Sequence, residues 1–501
     1  MQWPEGVLPG SLSNFETQAR LKRYSLLAQA AVRSGIRNLF LGHHRDDQIE
    51  TILMRLVRGK GTSIASFQGI ASEAPIPAGP ETENELLDFE NPTSAEHFLQ
   101  SAQNPKSQQT PTSRSSSTTY PKSINTLSGR ISIAPRLDVR LHRPFLRFSK
   151  ARILATCRAN NIPFVSDPTN FDPQITLRNS IRYLRANFRL PRALSEDSIL
   201  NVHARALDRL SQVELEAQHF FNVAHIVSFD LRSGSLTLNL SKFPELLDSE
   251  HLEMHVSFLA QILRLVTPID DYEMSKSSQQ AAASLIFPSA SSALGIRRGS
   301  APAASFTINQ VLMTKQVQET HSNQPKYVSW RLSRQPFKRD EIQRLSPTFI
   351  YRPTTDRNVS TEFWSDWIFW DGRYWIRICG SSIEYLQSCT VRPFQASDAA
   401  DLRTAIDRQL RETLTNLLHD AAPGKVRYTL PVIADNWGVR AFPTLDFAIP
   451  EQWKDGPGNM NSKPGLLSWN VKYKHIGHRA IERLIVHKSA RDSIEQPVQS
   501  T

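Results

Sequence analysis

His43-His44-Arg45-Asp46-Asp47-Gln48-Ile49-Glu50-Thr51 follows a short apolar run, Ile36 then Asn38-Leu39-Phe40-Leu41-Gly42, and these two stretches decide the fold. The apolar run has the length of a buried strand. Asp46 or Asp47 then opens a helix through about Arg58 with Ile49, Ile52, Leu53 and Leu56 on its inner side. Upstream, Phe15, Ala19, Leu26 and Ala30 recur near helical spacing, which predicts a helix over 16–34 closed by Gly35. Helix, strand and helix in quick succession predict an α/β unit on a parallel sheet. In such folds ligands sit where strand ends lead into helices.

Asp46 and Asp47 stand just past the expected strand, and Glu50 lies one turn on. On a helix these carboxylates are spaced three and four residues apart, so their oxygens can converge. Converging carboxylates suit Mg²⁺, which binds through one or two of them together with substrate phosphates. Amides at a helix start also favour anions, and His43 and His44 on the preceding turn can reach a nucleotide. Each piece has a simpler explanation: an Asp at a helix start is commonly a cap, and acids in the first turn suit the helix dipole.

A second pattern lies over 177–189. Arg178, Arg182, Arg185 and Arg189 share one helical stripe, with Leu177, Ile181, Leu184 and Phe188 one position off as the buried side. No acid occurs between Asp172 and Glu196. An arginine stripe without acids favours phosphate contacts over an ordinary solvated face. Trp364, Trp367, Trp370 and Trp375 are read as core, with base stacking as the alternative.

The 501 residues are enough for roughly three domains. Residues 1–195 form the first, interrupted at 71–128 by a segment rich in Ser, Thr, Pro, Gln and Asn that is expected to be disordered. A mainly helical region is expected over 196–274, a low-complexity linker over 275–335 and an α+β domain over 336–501. The fold class is therefore α/β, with a parallel-sheet nucleotide-binding domain, a helical region and an α+β C-terminal region.

Lys and Arg number 59 against 48 Asp and Glu, a net charge of +11, which favours polyanionic partners. Mean hydropathy is −0.38 and no apolar run approaches membrane-spanning length, so no membrane role is expected. Three scattered cysteines, Cys157, Cys379 and Cys389, argue against a disulfide framework and a zinc ribbon. Met1 to Phe15 reads as neither signal nor transit peptide.

Taken together, the string from His43 to Thr51 resembles the second nucleotide-site motif of tRNA(Ile)-lysidine synthetases, within the N-type ATP pyrophosphatase (PP-loop) superfamily. Further pieces stand in the family's order: Glu16-x-x-Ala19-Arg20-x-x-Arg23-Tyr24, Arg55-Leu56-x-Arg58-Gly59-x-Gly61, Arg143-Pro144-Phe145-Leu146, Asp167-Pro168-Thr169-Asn170 and Leu177-Arg178-Asn179-Ser180-Ile181-Arg182. Beyond about residue 200 the resemblance is weak.

The resemblance implies a carbon–nitrogen ligase with ATP and Mg²⁺ as cofactors and free L-lysine and a CAU-anticodon tRNA(Ile) as partners. ATP adenylates the 2-carbonyl oxygen of the wobble cytidine, and lysine then displaces AMP. It places Asp46, Asp47, Glu50 and Arg178 as catalytic, with the metal on Asp46 and Asp47. His43, His44, Gln48 and Thr51 would bind the nucleotide, and Arg20, Arg23, Arg55, Arg58, Arg182, Arg185 and Arg189 the RNA. Mitochondria are the expected compartment, otherwise the cytoplasm; oligomeric state is not readable.

The family's Ser-Gly-Gly-x-Asp-Ser phosphate loop does not occur among these residues, and Gly59-Lys60-Gly61-Thr62-Ser63 lacks the spacing to replace it. By the resemblance, the nucleotide-binding domain is therefore expected to be N-terminally incomplete in these residues, and the helical region 196–274 is expected to contact the tRNA. Two expectations stand side by side: a ligase whose sequence begins upstream of this Met1, or an RNA-binding remnant without ATP-dependent chemistry. On either, these residues alone are expected not to turn over ATP. Sulfur-transferring relatives fit less well, because they use paired cysteines.

Overall fold

The computed structural model describes residues 15–60, 64–77, 87, 131–135, 137–165, 172–223, 225–240, 252–269, 276–287, 305–318, 327–351, 363–380, 382–450 and 468–476. The chain is an α/β domain on a mixed sheet, followed by a helical region and a C-terminal α+β region. It divides into two compact units, Met1–Glu90 with Leu137–Glu216, and Asn91–Arg136 with Ala217–Thr501.

In the first unit, α1 (Phe15–Arg33) leads into β1 (Asn38–Phe40) and α2 (Arg45–Arg55), which a π-helical turn extends over Leu56–Lys60. β1 pairs in parallel with β4 (Arg140–His142), and β4 pairs antiparallel with β2 (Glu73–Pro75). The expected parallel sheet is therefore mixed. Its antiparallel strand comes from the start of the segment expected to be disordered: Ile76 is buried, and its amide donates to Val139 O. The alternation Glu73-Ala74-Pro75-Ile76 carries enough apolar surface to pair with β4; most of 78–128 lies outside the described residues.

Tyr24, Ala28 and Ala31 form the buried face of α1, against Ile76, Val139 and Leu141. Leu26 and Ala30, part of the stripe read from spacing, are exposed. The inner face of α2 is the expected one: Ile49, Ile52 and Leu53 are buried with Ile181 and Ile199. Each such side chain contributes about 1.5–3 kcal/mol on burial, which fixes α2 as the platform for whatever its first turn does.

After β4 come α3 (Lys150–Ala159), α4 (Leu177–Asn187) and α5 (Glu196–Val223). Ser149 caps α3 by accepting from Arg152 N, and Thr176 caps α4 by accepting from Asn179 N. The expected buried side of α4 holds at Ile181 and fails at Leu184 and Phe188, which are exposed. Asp167–Asn170 lies outside the described residues.

Among the described residues, the second unit holds three sheets. β5 (His225–Asp230), β6 (Ser235–Asn239), β7 (Ser305–Ile308), β8 (Val311–Gln318) and β9 (Tyr327–Arg334) form an antiparallel sheet in the order β5-β6-β9-β8-β7. α6 (Leu252–Val266) and α7 (Lys276–Ile286) pack with it in one core. The segment expected as a linker, 275–335, thus contains α7 and three of these strands. Its Ser, Ala and Gln content concealed an alternation, Ile308, Val311 and Met313, that is buried. A second sheet, β10-β12-β17-β3, joins Phe363–Trp364, Tyr374–Gly380, Ser468–Tyr473 and Ser132–Ile133, and Ile368–Trp370 (β11) pairs with β12. Trp367, Trp370 and Trp375 are buried here, as expected of core residues, whereas Trp364 is only half-buried, with the Arg377 guanidinium over its ring. The third sheet, β13 to β16 (Thr390–Pro393, Pro431–Asp435, Gly438–Phe442, Phe447–Ala448), shares a core with residues of the helices Ala396–Ala405 and Arg408–Ala421.

Candidate functional site

The turn after β1 delivers His43 and His44 to the start of α2, as the order strand, turn, helix requires. His44 occupies the cap position, and its amide donates to Asp47 Oδ2 at 3.0 Å. Asp47 is therefore a cap in the structural sense, and one of its oxygens is committed to the helix start. The other faces outward: Arg178 Nη1 donates to Asp47 Oδ1 at 3.4 Å.

Asp46 Oδ2 accepts from Lys150 N at 2.8 Å, and Arg185 Nη2 lies 3.5 Å from its Oδ1. Burial pushes the Asp46 carboxyl up, but the Lys150 amide and Arg185 outweigh it and hold the group below the usual range. Glu50 is 1% exposed and is gripped by Arg182 through two bonds, Nε to Oε1 and Nη2 to Oε2, both 2.9 Å. Three arginines of α4 thus face three carboxylates of α2 in a ladder: Arg178 with Asp47, Arg182 with Glu50, Arg185 with Asp46.

This ladder changes the reading of both helices. Glu50 does not converge with Asp46 and Asp47; it is sequestered by Arg182. No cluster of three or more His, Cys, Asp or Glu with metal-holding geometry exists among the described residues. Arg182 and Arg185, expected on RNA phosphates, are engaged with acids of α2, because the unlike charges that the α4 sequence lacks are supplied by the neighbouring helix. Arg189 stays exposed.

A cavity of about 380 Å³ opens beside Asp47, lined by Arg23, Tyr24, Leu27, Leu41, Gly42, His43 and Asp47. Its size suits a small ligand. Tyr24, Leu27 and Leu41 give it an apolar wall, and Arg23 and Asp47 give it charge. Burial lowers the His43 pKa; Asp47 opposes this, and Arg143, Arg20 and Arg178 reinforce it, so the imidazole is neutral near pH 7. His43 Nδ1 is buried without a hydrogen-bond partner among the described residues. Gly42 is exposed, at the point where the backbone leaves the strand.

Of the remaining candidates, Gln48 is turned away from the cavity. Its Oε1 accepts from Ile70 N, and its Nε2 donates to Ile70 O at 3.1 Å and lies 2.9 Å from His203 Nε2. It pins the turn after the 3₁₀ segment Ile64–Gln68, so its buried amide serves the fold. Thr51 and His44 do not line the cavity either. Arg20 and Arg23 approach the Tyr24 ring at 5.4 and 5.9 Å. Arg55 is half-buried, its pKa lowered by burial and by Arg20, and Arg58 is exposed. Sequence reasoning missed Tyr24, Leu27 and Leu41 as lining residues, and Arg143, whose buried guanidinium donates to Ala71 O at 2.8 Å. The Arg143-Pro144-Phe145-Leu146 string was the signal for the last; lining aliphatics leave no signal distinct from core.

A family model described as a PP-loop domain matches residues 5–81 and 119–186. Over 445 residues the chain is 24% identical to a probable tRNA(Ile)-lysidine synthase of Schizosaccharomyces pombe, covering 87% of this chain and 75% of that protein. It is 32% identical over 180 residues to a tRNA(Ile)-lysidine synthase of Bradyrhizobium sp., covering 35% of this chain and 33% of the relative. A third such protein, from Bordetella parapertussis, is 47% identical over 70 residues, 14% of this chain and 19% of its own length. The findings support a PP-loop ATP-pyrophosphatase domain and distant homology to tRNA(Ile)-lysidine synthases.

Proposed function

We propose that this protein, as made in its own cells, ligates lysine to the wobble cytidine of a CAU-anticodon tRNA(Ile) at the expense of ATP. The observation that carries the reading is the cavity beside the first turn of α2, with Asp47 on its wall held by the His44 amide and Arg178. In the first step the cytidine 2-carbonyl oxygen attacks the α-phosphorus of ATP, and pyrophosphate leaves. In the second the amine of lysine attacks C2, the C2–O bond breaks, and AMP leaves.

The purine lies against Tyr24, Leu27 and Leu41, while Arg23 and Arg178 offset charge on the phosphates and on the adenylated base. His43, held neutral, takes the proton that the amine sheds as it attacks, since a base must be unprotonated and within reach to do so. The donor set fits Mg²⁺ in one respect: the single carboxylate on the cavity wall, Asp47, suits an ion held largely by substrate phosphates. When bound it would supply charge stabilisation at those phosphates. Asp46, with its oxygens directed to Lys150 N and Arg185, is a positioning group.

The reading is tested on the protein purified from the cells that make it, supplied with labelled lysine. Label should enter a CAU-anticodon tRNA only when ATP is present; failure to transfer lysine would overturn the proposal. A second reading is an RNA-binding chain without ATP-dependent chemistry. It requires tRNA binding without lysine transfer.

A further inference from the structure

From Val139 to Val165 the chain carries six Lys and Arg residues and no Asp or Glu. The middle of this stretch is α3, and no residue of that helix is buried. Its larger apolar residues, Ile153, Leu154 and Cys157, are half-buried, so the face that α3 turns to solvent is its polar one. Its exposed positions are Lys150, Ala151, Arg152, Ala155, Thr156, Arg158 and Ala159, small or cationic throughout.

An exposed aromatic stands at each end. The Arg152 guanidinium carbon lies 5.3 Å from the centre of the Phe148 ring, and that of Arg158 lies 5.9 Å from the Phe164 ring. Both rings are exposed, as is Val165 beside the second. The three arginines of α4 are committed to carboxylates, whereas Arg147, Lys150, Arg152 and Arg158 are all exposed. α3 also grows directly from the candidate site: Arg45 N donates to Phe148 O at 2.9 Å, and Lys150 N to Asp46 Oδ2 at 2.8 Å.

We propose that α3, with Phe148 and Phe164 at its ends, is an RNA-binding face that leads the unpaired nucleotides of a stem-loop to the first turn of α2. The inference rests on the RNA-modifying reading above and names the surface that reading lacks, since the α4 stripe is occupied. Arg147, Arg152 and Arg158 contact phosphates, and the two rings stack bases, the combination by which unpaired RNA is held. An anionic lipid surface is the competing partner for a basic helix, but in-plane membrane helices segregate large apolar side chains on one face. The exposed positions of α3 carry none.

The test uses the full chain and a fluorescent RNA stem-loop bearing a CAU loop, titrated across a range of salt concentrations. The triple variant Arg147→Glu, Arg152→Glu, Arg158→Glu should lose at least about 30-fold in affinity. Its log–log salt slope should be shallower by about 2–3, three phosphate contacts at roughly 0.7–0.9 each. Phe164→Ala alone should weaken binding about 10-fold with the slope unchanged, as stacking does. Since these side chains are exposed, the thermal midpoint of each variant should match wild type. Unchanged RNA affinity in both variants overturns the proposal, as does loss of binding to phosphatidylserine vesicles with RNA binding intact. Lysine transfer separates this from the reading beneath it. A triple variant with wild-type KM for tRNA sinks the surface alone; a wild-type protein that binds RNA through α3 without transferring lysine sinks only the ligase reading.

Discussion

Arg182 closes on Glu50 with two parallel bonds of 2.9 Å, and the carboxylate it holds is 1% exposed. Fork-on-fork pairing satisfies both carboxylate oxygens at once. This pair joins α2 to α4 and thereby sets where Arg178 meets Asp47. Arg182→Ala should destabilise the first unit by about 3 kcal/mol, because it strands a buried charge. The double variant Glu50→Leu, Arg182→Met should recover most of that. Denaturant melts of the three proteins measure it, and an Arg182→Ala protein as stable as wild type would show the pair to be idle.

Gln48 makes the second prediction. Its amide holds both polar groups of the Ile70 peptide and contacts His203 Nε2, and His203 Nδ1 lies 2.7 Å from Phe67 O. Gln48→Leu leaves these buried groups unpaired, at a cost of about 1–3 kcal/mol for each one that water does not reach. Amide exchange at Ile70 should accelerate while α1 stays protected. Gly69→Ala should do similar damage, since its φ is +62° and an added Cβ would sit 2.8 Å from the Gln48 amide.

How much of this was legible beforehand follows from where each signal lives. The first turn of α2 was legible because a cap, an acid pair and an apolar face coincide in one local string. The ladder was not: the arginines of α4 and the acids of α2 are more than a hundred residues apart, and neither sequence names its partner. Arg178, Arg182 and Arg185 were correctly placed on one stripe, but their charges are answered from outside the helix. Likewise β2 was hidden in a run of small and polar residues, and β7 to β9 in a segment whose composition resembled a linker. Composition averages over the alternation that makes a strand. The buried tryptophans were legible because bulk and burial go together.

His43 carries a pH dependence. Burial holds its folded pKa below 6.5, whereas the unfolded chain binds its proton near that value. The folded state binds fewer protons there, so stability from this residue is complete above about pH 6.5 and is lost as pH falls through the folded pKa. Thermal midpoints should therefore drop less between pH 7 and pH 5 in His43→Gln than in wild type. Parallel curves for the two proteins would refute the burial argument.

In the second unit, Asp371 stands between two buried arginines. Arg334 Nε lies 3.2 Å from each of its oxygens, and Arg373 Nε donates to Oδ2 at 2.7 Å. Arg373 also donates to Ser233 O and Thr429 O, tying three stretches of chain together. Asp371→Ala leaves the buried Arg373 without a carboxylate and Arg334 with Glu341 at 3.7 Å, and should cost about 3–5 kcal/mol. Soluble expression and the melt of this unit report it, and a wild-type melt would contradict the role.

Under the proposed function, Asp47, on the wall of the cavity beside α2, takes part in forming lysidine. Asp47→Asn keeps an oxygen that can accept the His44 amide, so the helix start is preserved while the charge is removed. The decisive measurement is mass spectrometry of the CAU-anticodon tRNA from cells whose own copy of this protein carries Asp47→Asn. Wobble lysidine should disappear and unmodified cytidine replace it, with the protein still folded and present. Lysidine at the wild-type level in those cells would contradict it.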